Sequence, residues 1–505
     1  MSGVINKGIQ SRDLGAGGST PSEMYLATLC QKAFLSLWAY PNVYTDEGRA
    51  NGRGAGQELC DLLVVFGNEI IIFSDKHCQY KETGDDSVDW KRWYRRAIKK
   101  SVKQLVGATS FIKRFPDRLY RDRDCSIPFP RQITGVKEFN FHLIAVTRGA
   151  REACERYFSG KSIGSFRLLT DLDSDEVPFA IGPIKTEYGF VHVFDEHTLD
   201  VLFSELDTAA DFVRYLSKRA TLLQRPVPIL MVDGEEQLLA RYLKNMVDSE
   251  HDFAIDTEID GEMASLVYVQ EGEWESFVQN GQYLAKKEAD KISYHWDALI
   301  EGFAQRGQPH LVPVPEFIIA DEPEPAIREM ASESRFDRRI LSETLVNFAQ
   351  AITPGVPRVR VGVSPSTKEK AYVFLAEPFM SSHFSSYDEY RKIRVAKLAA
   401  YATVARVRFP LAKSVVGIAF DGPSQDKHGG SEDLYCHYVP EVTSEVLDDA
   451  RGVQKEFGLL LENNIFEKRY SVSEYPANSI LGARSLSRQQ RRAMARSQAK
   501  AYRRK

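Results

Sequence analysis

The stretch GQELCDLLVVFGNEIIIFSDKHC, residues 56–78, sets two apolar, β-rich runs on either side of Gly67 and Asn68. A two-residue Gly-Asn link between such runs predicts a β-hairpin. Glu58 and Asp61 stand at the start of the first run, and Ser74, Asp75 and Lys76 close the second. Pairing about the turn sets position 61 roughly opposite position 74, so Asp61 and Lys76 converge at one end of the hairpin. Strand alternation puts Ser74 and Lys76 on one face and Asp75 on the other. The same rule turns Glu58 away from Asp61, although the glycine-rich approach leaves its direction open. Charges of this kind commonly end buried strands. They are also what a metal-assisted phosphodiester cut needs: one or two carboxylates for Mg²⁺, and a cation beside the developing negative charge.

Upstream, TPSEMYLATLCQKAFLSLWAY predicts a helix, with Thr20 as N-cap, Pro21 in the first turn and Glu23 as capping-box acid. NVY at 42–44 reads as a short strand and the glycine-rich stretch after it as a loop. Downstream, residues 88–115 predict one long helix, with Trp90, Trp93 or Tyr94, Ala97, Ile98, Val102, Leu105 and Ile112 on its buried stripe. Its other face is basic: Lys91, Arg92, Arg95, Arg96, Lys99, Lys100 and Lys103 come with no acid among them. Like charges at this spacing repel, and an anionic partner is a sensible reason to keep them.

FHLIAVT (141–147) and FVHVF (190–194) supply further strands, and REACERYF and TAADFVRYLSKRATLL further helices. The alternation predicts an α/β class. Expected divisions are a leader at 1–19, a first α/β domain at 20–225, a mixed α/β region at 226–320, an α+β domain at 321–475 and a basic tail at 476–505. The tail, which includes Arg491 and Arg492, carries nine Lys or Arg between Arg484 and Lys505 and no acid. It is a second candidate phosphate-binding segment.

A formal charge of −4 over 505 residues argues against a uniformly basic coat, so local patches must carry any nucleic-acid contact. Six scattered cysteines form neither a disulfide framework nor a zinc pattern, and no apolar window is long enough to span a membrane. A soluble, cytoplasmic protein is the expectation. SGKS at 159–162 lacks the upstream glycine of a phosphate-binding loop, because position 155 is Glu155. His192 and His197 match no metal spacing, and the 422–435 stretch reads as a surface loop.

A helix with a glutamate, an acid opening one strand, a hairpin into an apolar strand ending in lysine, and a following helix together resemble the PD-(D/E)xK, restriction-endonuclease-like nucleases. The resemblance covers roughly residues 20–150, extending toward 220, and its motifs are short. It implies an N-terminal αβββαβ core with Asp61 as first metal ligand, Cys60 in the place of the usual proline, and Lys76 as the motif lysine. Ser74 departs from the pattern, since it holds the place of the second acid. Three alternatives follow: a bulge turns Asp75 inward, Glu58 supplies the missing carboxylate, or catalysis is lost. Glu23 would match the first-helix glutamate, and Gln104 the helix glutamine of some members, without the tyrosine expected at 108. The resemblance further implies Mg²⁺ or Mn²⁺ as cofactor, DNA as substrate with RNA as the alternative, a role in bacterial defence, and a dimer to cut both strands. A noncatalytic nucleic-acid-binding or scaffold protein with the same fold is the rival, and the C-terminal region is open to a regulatory protein partner.

Overall fold

A computed structural model describes residues 20–50, 54–130, 138–160, 165–172, 175–225, 228–247, 250–255, 258–259, 262–305, 324–424, 426, 430–462 and 472–476. The chain divides into two compact units, Met1–Trp274 and Glu275–Lys505. Both are α/β. No helix among the described residues is long and apolar enough to cross a membrane.

The first unit opens with α1 (Pro21–Trp38), capped by Thr20 and Glu23 in the reciprocal arrangement that the sequence predicts. Strand β1 (Ala39–Thr45) follows, then a single helical turn α2 (Glu47–Ala50), β2 (Gln57–Phe66) and β3 (Glu69–His77). The β2–β3 turn places its positive φ on Gly67, a conformation that costs glycine little. The predicted long helix is one continuous run with a break in its hydrogen bonding: α3 (Asp86–Tyr94), a π turn (Arg95–Lys99) and α4 (Lys100–Arg114). Trp90 and Trp93 stack at 5.3 Å and meet Phe166 edge-on, which pins the helix down. Truncating a buried aromatic of this kind costs about 3–5 kcal/mol. Ser101 takes the buried place expected of Val102, which is half-buried.

The two-residue β4 (Leu119–Tyr120) edges the sheet, and β5 (Asn140–Arg148) enters its middle. After α5 (Arg151–Tyr157) come β6 (Arg167–Leu169), β7 (Ala180–Ile181), β8 (Ile184–Thr186) and β9 (Gly189–Asp195), then α6 (Glu196–Glu205) and α7 (Ala209–Leu223). The main sheet has the order β4-β1-β2-β3-β5-β9-β8. Strands β1, β2 and β3 pair antiparallel, whereas β3, β5 and β9 run parallel. The αβββαβ succession is therefore present from α1 to β5, with α2 and β4 as small additions.

The expected boundary near 225 is a correction. Strand β10 (Ile229–Val232) pairs antiparallel with β6, and the first unit continues through α8 (Glu235–Lys244) and two short ribbons, β11 (Met246–Val247) with β12 (Glu250–His251) and β13 (Glu258–Ile259) with β14 (Glu262–Met263). It ends with β15 (Leu266–Val269), parallel to β10. These pairings tie the 229–269 stretch to what precedes it, so the division falls beyond it, within α9 (Glu273–Val278).

In the second unit α10 (Gly281–Asp290), α11 (Tyr294–Gln305), α12 (Glu324–Ala331) and α13 (Arg335–Gln350) precede a four-stranded sheet. Its strands are β16 (Arg358–Val363), β17 (Lys370–Pro378), β18 (Ser414–Gly422) and β19 (Glu432–Tyr438), in that spatial order. Helix α14 (Tyr387–Arg408) crosses between the parallel strands β17 and β18, and α15 (Ser444–Phe457) follows.

Candidate active site

The β2–β3 register runs from Phe66 opposite Glu69 to Leu62 opposite Phe73, which brings Asp61 level with Ser74. There the ladder stops and a side chain takes over: Asp61 Oδ2 accepts the Asp75 backbone N–H at 2.5 Å. The same oxygen lies 3.7 Å from Lys76 Nζ. Asp61 is 4% exposed while the Lys76 side chain is 32% exposed, so a buried carboxylate is met by a cation that still reaches solvent. Burial holds the Asp61 carboxyl above its ordinary range, with Lys76 and the Asp75 amide pulling it down.

Glu58 is brought to this face by a β-bulge. Consecutive residues Val43 and Tyr44 of β1 pair with Cys60 and Glu58 of β2, leaving Leu59 as the extra residue. One inserted residue reverses the alternation, and positions 58 and 61 share a face. Strand alternation alone pointed Glu58 the other way. The Glu58 carboxyl is pushed up to about 7, by burial first, then by Asp61 and Glu23, while Lys76 draws it down. The residue is exposed, so repulsion from the two acids is the part of that shift the geometry best supports.

Ser74 Oγ donates to Gln104 Oε1 at 3.0 Å, which places α4 over the same face and joins the helix glutamine to the site. Asp75 is the correction among the expected ligands. Its bulge alternative is not the one realised, because the bulge lies in β2. The Asp75 carboxylate instead accepts from Arg148 Nε at 3.1 and 3.2 Å, away from Lys76 by strand alternation. Glu23 serves its capping box, with the Thr20 N–H donating to it at 3.2 Å, and it also raises the carboxyls of Glu58, Asp61 and Asp75 through space.

Arg148 was not among the expected site residues. The signal was present: FHLIAVTR is an apolar run closed by a cation, the same pattern that singled out Lys76. Gly149 follows it at φ 89°, where an added Cβ would stand 2.8 Å from the Cys78 carbonyl oxygen. That close approach holds the ends of β3 and β5 together.

Among the described residues no group of three or more His, Cys, Asp or Glu side chains is arranged to hold a metal ion. Glu58 and Asp61 make two carboxylates on one face, and Mg²⁺, which retains several waters, binds through one or two. A divalent cation would relieve the repulsion that raises Glu58. The donor set therefore fits Mg²⁺ or Mn²⁺.

Of the basic residues, Lys91, Arg92, Arg95, Lys99, Lys100 and Lys103 are exposed along about 18 Å of helix. Arg96 is half-buried and donates to the Gln79 carbonyl at 3.3 Å. Lys99 meets Asp175 at 3.2 Å and Arg92 meets Asp89 at 3.8 Å. Arg491 and Arg492 lie outside the described residues, as do Lys161 and Ser162 of the SGKS motif. His192 is buried beside Arg219, and burial with that neighbour keeps it well below its ordinary value.

No family model, no curated protein and no solved structure matches this chain.

Proposed function

We propose that this protein is a divalent-metal-dependent nuclease that hydrolyses DNA phosphodiester bonds, with its site at the β2–β3 strand ends of a PD-(D/E)xK-like first unit. The observation that carries the reading is the meeting of Asp61 and Lys76 at 3.7 Å, with Glu58 turned to the same face by the Leu59 bulge. Asp61 and Glu58 would hold the Mg²⁺ or Mn²⁺ ion. Bound there, the ion supplies polarisation of a nonbridging phosphoryl oxygen and a water of lowered pKa. Lys76 stabilises the negative charge that develops as the phosphodiester is attacked, or orients the attacking water. The exposed cations of α3 and α4 hold the flanking phosphates and set the register of the strand without reading its sequence.

Asp61 and Glu23 raise the Glu58 carboxyl, and a cation bound between Glu58 and Asp61 would relieve that repulsion. Defence against foreign DNA and a dimer that cuts both strands belong to this reading by resemblance, and a cytoplasmic setting belongs to it from the scattered cysteines.

A second reading is favoured by Ser74, which stands where the family places an acid and is engaged by Gln104, while Asp75 is drawn off by Arg148. It makes the protein a nucleic-acid binder that keeps the fold without the chemistry. Incubating supercoiled plasmid, linear duplex, single-stranded DNA and RNA with Mg²⁺ or Mn²⁺ separates the two. The nuclease reading expects metal-dependent cutting that disappears in folded Asp61→Ala and Lys76→Ala proteins. Binding that persists in chelator, with no cutting by the wild type, is the result the binder expects.

A further inference from the structure

Asp61 does not stand alone. Its Oδ2 is fixed by the Asp75 N–H at 2.5 Å, and the Asp75 side chain is gripped by Arg148 through both carboxylate oxygens. Asp75 and Arg148 are both buried, at 7% and 9% exposure. Arg148 Nη1 lies 3.9 Å from Glu196, the guanidinium carbon is 5.8 Å from the Tyr25 ring centroid, and Nη2 is buried without a hydrogen-bond partner. A buried guanidinium that leaves one donor unsatisfied is costly to keep. The grip on Asp75 offsets that cost and makes the following geometry rigid.

We propose that Arg148 is a positioning residue for the metal-binding carboxylate, acting through the Asp75 peptide: it locks the end of β3 so that the Asp75 N–H holds Asp61 Oδ2 and the other oxygen, Oδ1, is presented to the cation. This rests on the nuclease reading and deepens it. A ligand carboxylate needs a fixed orientation to bind one ion in one place, and groups that orient ligands are worth about 10–100-fold in affinity. Arg148 reaches Asp61 across two strand boundaries, because β3 lies between β5 and β2. The parallel register sets His77 against Arg148, and the Cys78 N–H donates to the Arg148 carbonyl at 3.1 Å, so the backbone of the two strand ends is coupled as well.

The test is calorimetric titration of the full-length protein with Mn²⁺, beside thermal melts that establish folding. Wild type is expected to bind, and Asp61→Asn to lose binding. Arg148→Met removes the grip but leaves Asp75 buried and unpaired. The double variant Arg148→Met/Asp75→Asn is therefore the decisive one, since it removes the ion pair while keeping the peptide N–H and leaving no buried charge. It is expected to fold and to bind Mn²⁺ at least about tenfold more weakly, with Arg148→Lys recovering part of the loss. If the folded double variant binds as tightly as wild type while Asp61→Asn does not, Arg148 is structural only and the assignment falls by itself. If wild type takes up no Mn²⁺, the nuclease reading falls and takes this assignment with it.

Discussion

The two units use the same device and put it to different ends. In the first, antiparallel β2 and β3 are followed by a helix that returns the chain to β5, parallel to β3; in the second, antiparallel β16 and β17 are followed by α14 and then β18, parallel to β17. Both sheets carry acids at the strand ends. In the second unit these acids are met by cations from the crossing helix. Arg394, fully buried, donates to Asp433 at 2.8 Å and also contacts Asp421, Arg391 pairs with Asp433, and Lys397 lies 2.7 Å from Glu377. Tyr390 adds its hydroxyl to Asp421 at 2.9 Å. In the first unit the crossing helix turns most of its cations outward, and Glu58 and Asp61 repel each other with Lys76 as their nearby cation. Charges matched within the fold lock a domain. Charges left in tension within it are what a ligand can use.

The comparison makes predictions that differ in size. Asp61→Asn should reduce metal-dependent DNA cleavage to background, and Lys76→Ala should reduce it by about 10²–10³-fold, measured as nicking of supercoiled plasmid by proteins whose melts match wild type. Unchanged cutting in either would put the first unit's charges in the same category as the second's. Arg394→Met should destabilise the second unit by about 3–5 kcal/mol in urea unfolding, because half-buried Asp421 loses its cation and buried Asp433 keeps only Arg391. A negligible loss would mean that the network is not the lock described. Replacing Lys100 and Lys103 together by alanine should weaken DNA binding evenly across sequences and lower the salt slope by about one per residue. A sequence-dependent loss would turn these residues from phosphate contacts into readers.

Two smaller effects depend on pH. Glu58 has its folded value raised from 4.5 to about 7, so the stability it contributes is full below the unfolded value and is lost as pH rises through about 7. Without metal, Glu58→Gln should raise the melting temperature at pH 8 and change it little at pH 4. Buried Glu236, 2% exposed, is raised to about 8, chiefly by burial. Glu236→Gln should likewise stabilise the protein at pH 9 more than at pH 6, and metal should not alter that difference. An equal response of the two variants to Mn²⁺ would remove the distinction drawn for Glu58.

Much of this was legible in residues 56–78 and their neighbours. The apolar runs, the Gly67 turn and the pairing that sets Asp61 level with Ser74 follow from period and turn chemistry, and the capping of α1 from Thr20 and Glu23. What sequence alone leaves hidden depends on contacts between strands. The pairing of β10 with β6 joins segments about 60 positions apart, as Met231 with Leu169 illustrates, and no local pattern announces it. Arg148 meets Asp75 only once β5 lies beside β3. Glu58 faces Asp61 because of how β1 pairs with β2, whereas β2 by itself looks regular.

The Leu59 bulge behaves like a frameshift written in side chains instead of codons. Upstream of it, odd and even positions exchange faces; downstream, the hairpin keeps its frame and Asp61 stays beside Lys76. Removing Leu59 would restore the simple alternation with Glu58 two positions before Asp61 and still on its face, whereas an unbulged strand that kept Leu59 would send Glu58 through to the opposite one. A motif defined by counting residues between acids is blind to such a shift, so a carboxylate that seems to be missing by spacing is present by phase.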